Sequence, residues 1–324
     1  MIAADNRTIL RLLTDGHAEG IDGVLVTLTG IVGASSRGIG AQMAVLADGR
    51  HAGSFSGGCI EAAVIAEAQA VLAAGLGRTV RFGSGSPYID IRLPCGGGID
   101  LLFTPKADTG TLTSVLERLD QREAAVLRID EQGVSLGTDW AMHRADAAFL
   151  RTYAPPLRLV ALGHGEDLTA LVRLAQAFGV DVAAFAPETD RHALAAEGIA
   201  ALMSRTTLPQ LAGDAWTAFV FLFHDHDWEE HLLPQALAQP GFYHGAVGSA
   251  RTHRARLEGL RAADVPQQRL DRLRGGIGLI PATRDPATLA LSILGEVVQD
   301  YQACAGVPGW AGQALPTAHV STRR

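Results

Sequence analysis

Residues Ser56-Gly57-Gly58-Cys59-Ile60-Glu61 place a thiol directly after two glycines and at the start of an alanine-rich segment. Glycine lets a ligand approach the backbone closely. A helix N-terminus favours thiolate, the nucleophilic and metal-binding form of cysteine. Cys95 stands in a similar setting, Leu93-Pro94-Cys95-Gly96-Gly97-Gly98. Each cysteine alone also suits the commonest fate of a free thiol, a small buried hydrophobe. The repeated glycine context brings thiolate chemistry at Cys59 level with that reading, with Cys95 second. Two isolated cysteines lack the paired spacing of a structural zinc site.

Three further groups lie in the second half. Gly163-His164-Gly165 falls between an apolar run and a helical pattern, where a dinucleotide-binding turn belongs. Leu168 occupies the third glycine position, and Ala186 stands where a ribose-binding acid is expected, so NAD(P) is not the expected ligand. His224-Asp225-His226-Asp227 follows a strand-like run, where it can line a ligand crevice or simply cap the next helix. Gly248-Ser249-Ala250-Arg251-Thr252-His253 opens a helix, with Ser249 as its cap. Its amides together with Arg251 and His253 read as an anion pocket.

The elements that must position these groups come in two styles. The first half reads as α+β with strands dominating: a helix near Thr8 to Thr14, strands at Gly23 to Val32 and Gln42 to Leu46, and a hairpin through Asp48-Gly49. Next come a helix over Ile60 to Ala74, strands near Thr79 and Ile99, a helix over Thr111 to Gln121, and strands near Ala124 and Val134. From Leu157 onward, apolar strands alternate with helices, which predicts a parallel doubly wound sheet. The expected fold class is therefore α/β, an N-terminal α+β domain followed by a Rossmann-like domain. The expected bounds are 1–139 and 157–306, with a linker at 140–156 ending in Pro155-Pro156 and a flexible tail at 307–324.

The chain has 324 residues, enough for two domains, and 48% of them are apolar. A net charge of -7 argues against a nucleic-acid binder, so anionic ligands must be held by local groups. The apolar runs fall far short of a membrane span, and the N-terminal residues do not read as a secretory signal. With three cysteines, a disulfide framework is not the natural reading, and a cytoplasmic location is expected.

In order along the chain, these motifs resemble the XdhC/CoxI family. The resemblance rests on Gly33-Ala34-Ser35-Ser36-Arg37-Gly38-Ile39-Gly40-Ala41, Ser56 to Glu61, Cys95-Gly96-Gly97, His224-Asp225-His226, and Gly248-Ser249-Ala250-Arg251-Thr252-His253-Arg254. It departs where Ser36 and Gly38 replace the family's prolines, where Ala186 replaces an acid, and where Ile280 replaces an aspartate. The resemblance implies a maturation factor that binds molybdenum cofactor (molybdopterin, or its cytosine dinucleotide), supports its sulfuration by a cysteine desulfurase, and hands it to a molybdenum hydroxylase apoenzyme. It implies Cys59 as a molybdenum contact. It implies cofactor-binding roles for Arg37, Gly57, Gly58, Gly96, Gly97, Gly163, Gly165, His224, Asp225, Gly248, Ser249, Arg251, Thr252 and His253. A homodimer is compatible with it. Two rival classes remain at this stage: an NAD(P)-dependent oxidoreductase and a nucleotide-sensing binding module.

Overall fold

A computed structural model describes residues 6–58, 60–86, 96–138, 143–145, 148–187, 191–205, 208–223 and 227–306. The chain divides into two compact units after Pro155.

The first unit runs α1 (Asn6–Ala18), β1 (Gly23–Val32), β2 (Gln42–Leu46), β3 (His51–Gly53), α2 (Glu61–Ala74), β4 (Arg78–Gly83), β5 (Gly98–Pro105), α3 (Thr109–Asp120), β6 (Ala125–Ile129), β7 (Val134–Leu136), β8 (His143–Ala145) and β9 (Ala148–Tyr153). Strands pair antiparallel in two sheets, ordered β3-β2-β1-β5-β4 and β7-β6-β9-β8. Alternation along β1 divides its side chains between two cores. Val24, Val26 and Leu28 pack with Val64, Ala68 and Val71 of α2. Leu25 joins Leu10 and Leu13 of α1, Leu112 of α3, and Leu127, Phe149 and Tyr153 of the second sheet. A helix thus covers one face of the first sheet, and helices and the second sheet cover the other. That explains why β1 is apolar almost throughout.

Residues 140–156, read from sequence as a linker, contain β8 and β9, which correct that reading. All of Ala148–Tyr153 is buried, and β9 pairs with both β6 and β8. A strand covered on both faces has no polar–apolar alternation to betray it.

The second unit runs β10 (Arg158–Gly163), α4 (Gly165–Phe178), β11 (Asp181–Pro187), α5 (Arg191–Ala196), β12 (Ile199–Leu202), β13 (Thr217–Leu222), α6 (Glu229–Ala238), β14 (Tyr243–Ala246), α7 (Ala250–Ala262), α8 (Gln267–Leu270), β15 (Leu273–Gly275) and α9 (Pro286–Gly306). Its six strands are parallel, in the order β12-β11-β10-β13-β14-β15. This is the doubly wound Rossmann order, whose ligand crevice lies where the winding reverses, between β10 and β13. The expected α/β fold class is the one found.

Candidate functional site

In the first unit, the three glycine-rich motifs meet beside the end of β1. The ladder between β1 and β5 shifts register between Leu28 and Gly30, a bulge of the kind that re-aims a strand end. β1 then pairs only with β5 as far as Val32, opposite Gly98. The excursion between β1 and β2 closes where Gly40 donates to the Leu28 carbonyl and Leu28 donates to that of Ala41, both at 2.8 Å. Gly97 packs against this excursion so closely that an added Cβ would lie 2.1 Å from the Ala34 oxygen. The Gly97 carbonyl also accepts from the Ser84 N–H at 3.0 Å. Gly97 is therefore required by packing between loops. Gly96, at φ 69°, has nothing within 4 Å of a would-be Cβ.

The same excursion grips the Ser56–Glu61 motif. The Ser36 hydroxyl donates to the Phe55 carbonyl at 2.8 Å, and Arg37 Nε donates to the Ser54 carbonyl at 3.2 Å. Gly57 and Gly58 adopt φ of 75° and 125°, a region where L-residues are strained. Among the described residues, nothing lies within 4 Å of a would-be Cβ at either. Their N–H groups, however, are committed, Gly57 to Ser54 Oγ at 3.0 Å and Gly58 to Glu61 Oε2 at 2.8 Å.

Glu61, the first residue of α2, organises this loop. Its Oε1 accepts from the Ser54 hydroxyl and from the N–H groups of Phe55 and Ser56, at 2.7, 3.0 and 2.9 Å. Its Oε2 accepts from the Ser56 hydroxyl and from the N–H groups of Gly58 and Ile60, at 2.8, 2.8 and 3.2 Å. Burial works to raise the Glu61 pKa, but the Ser56 amide and the Ser54 and Ser56 hydroxyls outweigh it and bring it down to about 2. Glu61, two residues after Cys59, stands in the motif, but its contacts depend on how the loop folds and no sequence signal marks them. Cys59 and Cys95 lie outside the described residues.

In the second unit, Gly163 ends β10 opposite Leu222 of β13, and an added Cβ would sit 2.6 Å from the Leu222 Cβ. Sheet packing therefore accounts for Gly163. Gly165, at φ 71°, has nothing within 4 Å of its would-be Cβ and opens α4. Leu168, at the third glycine position, is 1% exposed. His224 and Asp225 lie outside the described residues. Asp227, just beyond them, pairs with Arg205 at 2.7 Å.

Ser249 caps α7, its hydroxyl accepting the Thr252 N–H at 3.1 Å and sharing a 2.9 Å contact with Thr252 Oγ1. Arg251 is exposed on the first turn. His253 packs under Gly275, where an added Cβ would approach its ring to 2.2 Å. Burial lowers the His253 pKa, the Arg256 charge lowers it further, and Glu229 opposes them. His253 is thereby biased toward its neutral form, and its Nδ1 is buried without a hydrogen-bond partner among the described residues. Behind this turn, Arg256 is buried in a two-pronged pair with Glu229, both contacts at 2.8 Å, and it also donates to the Val247 carbonyl at 2.9 Å. Among the described residues, no cluster of three or more His, Cys, Asp or Glu side chains is arranged to hold a metal ion.

Residues 17–83 match the XdhC and CoxI family, and residues 159–297 match the XdhC Rossmann domain. A protein of Escherichia coli (strain K12) described as "Molybdenum cofactor insertion chaperone PaoD" is 38% identical over 300 residues, spanning 90% of this chain and 88% of that protein. The chain belongs to the XdhC/CoxI family. As an XdhC/CoxI protein it also shares its fold with a solved structure described as a xanthine dehydrogenase from Bacillus halodurans. The TM-score there is 0.67 at 22% identity, over 91% of this chain and 96% of the other. The matched family segment 17–83 contains both the Gly33–Ala41 excursion and the Ser56–Glu61 loop, two of the three loops that meet in the first unit.

Proposed function

We propose that this XdhC/CoxI protein is a maturation factor that binds molybdenum cofactor, supports its sulfuration, and delivers it to a xanthine-dehydrogenase-type hydroxylase. The observation that carries this reading is the joining of the motif loops, with Ser36 and Arg37 bonded to the backbone of the cysteine loop. The relative described as a cofactor insertion chaperone supports it. The cargo has a soft metal–dithiolene centre and an anionic phosphate. Cys59 supplies the soft ligand or sulfur relay, and Cys95 a second contact. Arg37 supplies a charge-assisted donor, and Gly57, Gly58 and Gly96 leave space for close approach.

In the second unit, Gly165, Ser249, Arg251, Thr252, His253, His224 and Asp225 are the candidate cofactor-binding residues, and the cargo is molybdopterin or its cytosine dinucleotide. A cysteine desulfurase provides the sulfur, and the work takes place in the cytoplasm, as a carrier of an oxidation-labile cargo requires. Among the described residues, no helix is long and apolar enough to cross a membrane.

Transfer tests the reading. Protein isolated from a cofactor-producing host is mixed with demolybdo apo-hydroxylase, and substrate turnover is followed. Activation by the loaded protein is expected. A nucleotide-sensing module would leave the apoenzyme inactive.

A further inference from the structure

We propose that Glu61 is the positioning residue for Cys59, fixing the backbone on both sides of it. This rests on the reading of Cys59 as the active thiol.

A carboxylate in the first turn of a helix ordinarily accepts from one or two nearby amides. Glu61 accepts from six donors between Ser54 and Ile60. The two residues flanking Cys59 donate to the same oxygen, Gly58 and Ile60 to Oε2, at 2.8 and 3.2 Å. The Ser56 hydroxyl braces the same span, donating to Oε2 at 2.8 Å while accepting the Ile60 N–H at 3.1 Å. These contacts hold Gly57 and Gly58 in left-handed conformations that a free loop would leave. Arg37 is the other charged side chain bonded to this loop, and it acts on the outer carbonyl of Ser54. The amides of Phe55, Ser56, Gly57, Gly58 and Ile60, the described residues of the loop, are all turned onto Glu61 or the loop serines.

Glu61→Gln tests the assignment. The amide can keep the bonds of one oxygen, but its NH2 group then faces the Gly58 and Ile60 donors. Two readouts on the full chain separate positioning from mere buttressing. The first is the alkylation rate of Cys59 by iodoacetamide, resolved by peptide mass spectrometry, which needs no cargo. It should change by roughly threefold or more, with Cys304 unchanged. The second is molybdenum retention after isolation from a cofactor-producing host. It should fall about tenfold in Glu61→Gln, with no further fall when Glu61→Gln is added to Cys59→Ser.

If Glu61→Gln does not fold, Ser56→Ala removes the brace and is read in the same way. A folded variant with wild-type Cys59 alkylation overturns the proposal, and so does a loss of retention that persists undiminished in the Cys59→Ser background. If alkylation changes while the wild-type protein itself holds no molybdenum, the positioning stands and the cargo reading fails.

Discussion

Arg37 donates from Nε to the carbonyl of Ser54 at 3.2 Å, tying the excursion after β1 to the loop that carries Cys59. The side chain is exposed, and the rest of its guanidinium fork remains available for a planar anionic partner. Losing a charge-assisted hydrogen bond costs about 1.5–3 kcal/mol, so Arg37→Ala should weaken pterin binding by roughly ten- to a hundredfold. Arg37→Lys should restore only part of it, because a point charge cannot bond in two prongs. Binding titration of both variants checks this, and equal affinity of Arg37→Ala and wild type would remove Arg37 from the site.

The Rossmann unit should not transfer hydride. Leu168, where the dinucleotide turn needs a small residue, is 1% exposed, and Ala186, at the end of β11 where a ribose acid would stand, is 2% exposed. We expect no turnover of NAD or NADP across a panel of alcohols, aldehydes and hydroxy acids. Saturable reduction of either cofactor by one substrate would contradict this.

Much of this was legible from residue order. The alternation of apolar strands with helices after Leu157 gives a parallel sheet, as found. Short or fully covered elements were not legible. β9 lacks alternation because both its faces are buried, and α8 is a single turn. The motifs marked loops that meet, but not the contacts that hold them: the described loop amides turn onto Glu61, an arrangement set by where a carboxylate three bonds off the backbone can reach. The burial of His253 beneath Gly275, which lowers its pKa, was not legible in the sequence, because Gly275 comes to it through the fold.

The buried pair of Glu229 and Arg256 should be costly to break and cheap to replace. Both side chains are 2% exposed. Arg256→Ala leaves a carboxylate buried without its partner and should destabilise the protein by about 3–5 kcal/mol. Glu229→Leu combined with Arg256→Met should recover most of that loss. Chemical denaturation followed by tryptophan fluorescence is the check, and a double variant no more stable than Arg256→Ala would show that the charges themselves are needed.

His244 predicts an acid-side weakness. Burial, reinforced by the Arg272 charge, pushes its pKa down to about 3, while its Nε2 lies 2.9 Å from the Ala236 carbonyl. The unfolded chain takes up this proton near pH 6.5 and the native state does not until near pH 3. The contribution of His244 is therefore fully present above pH 6.5 and lost as pH falls, by about 1.4 kcal/mol per pH unit within that window. His244→Gln should flatten the stability slope between about pH 6.5 and 4.5 relative to wild type. Identical slopes would mean that His244 titrates normally.

Cys304 serves as the internal control for thiol chemistry. It is buried in the last turns of α9, and burial, with Asp300 adding to it, pushes its thiol up to about 11. Cys304→Ser should leave cargo retention unchanged, and Cys304 should alkylate far more slowly than Cys59 near neutral pH.

The central claim, that this XdhC/CoxI protein carries molybdenum cofactor through Cys59, is tested most directly by measuring molybdenum and pterin per chain in protein isolated from a molybdenum-replete, cofactor-producing host. Wild type should retain both together, and Cys59→Ser, equally well folded, should retain neither. Absence of molybdenum and pterin from the wild type, or equal amounts in Cys59→Ser, would contradict the account.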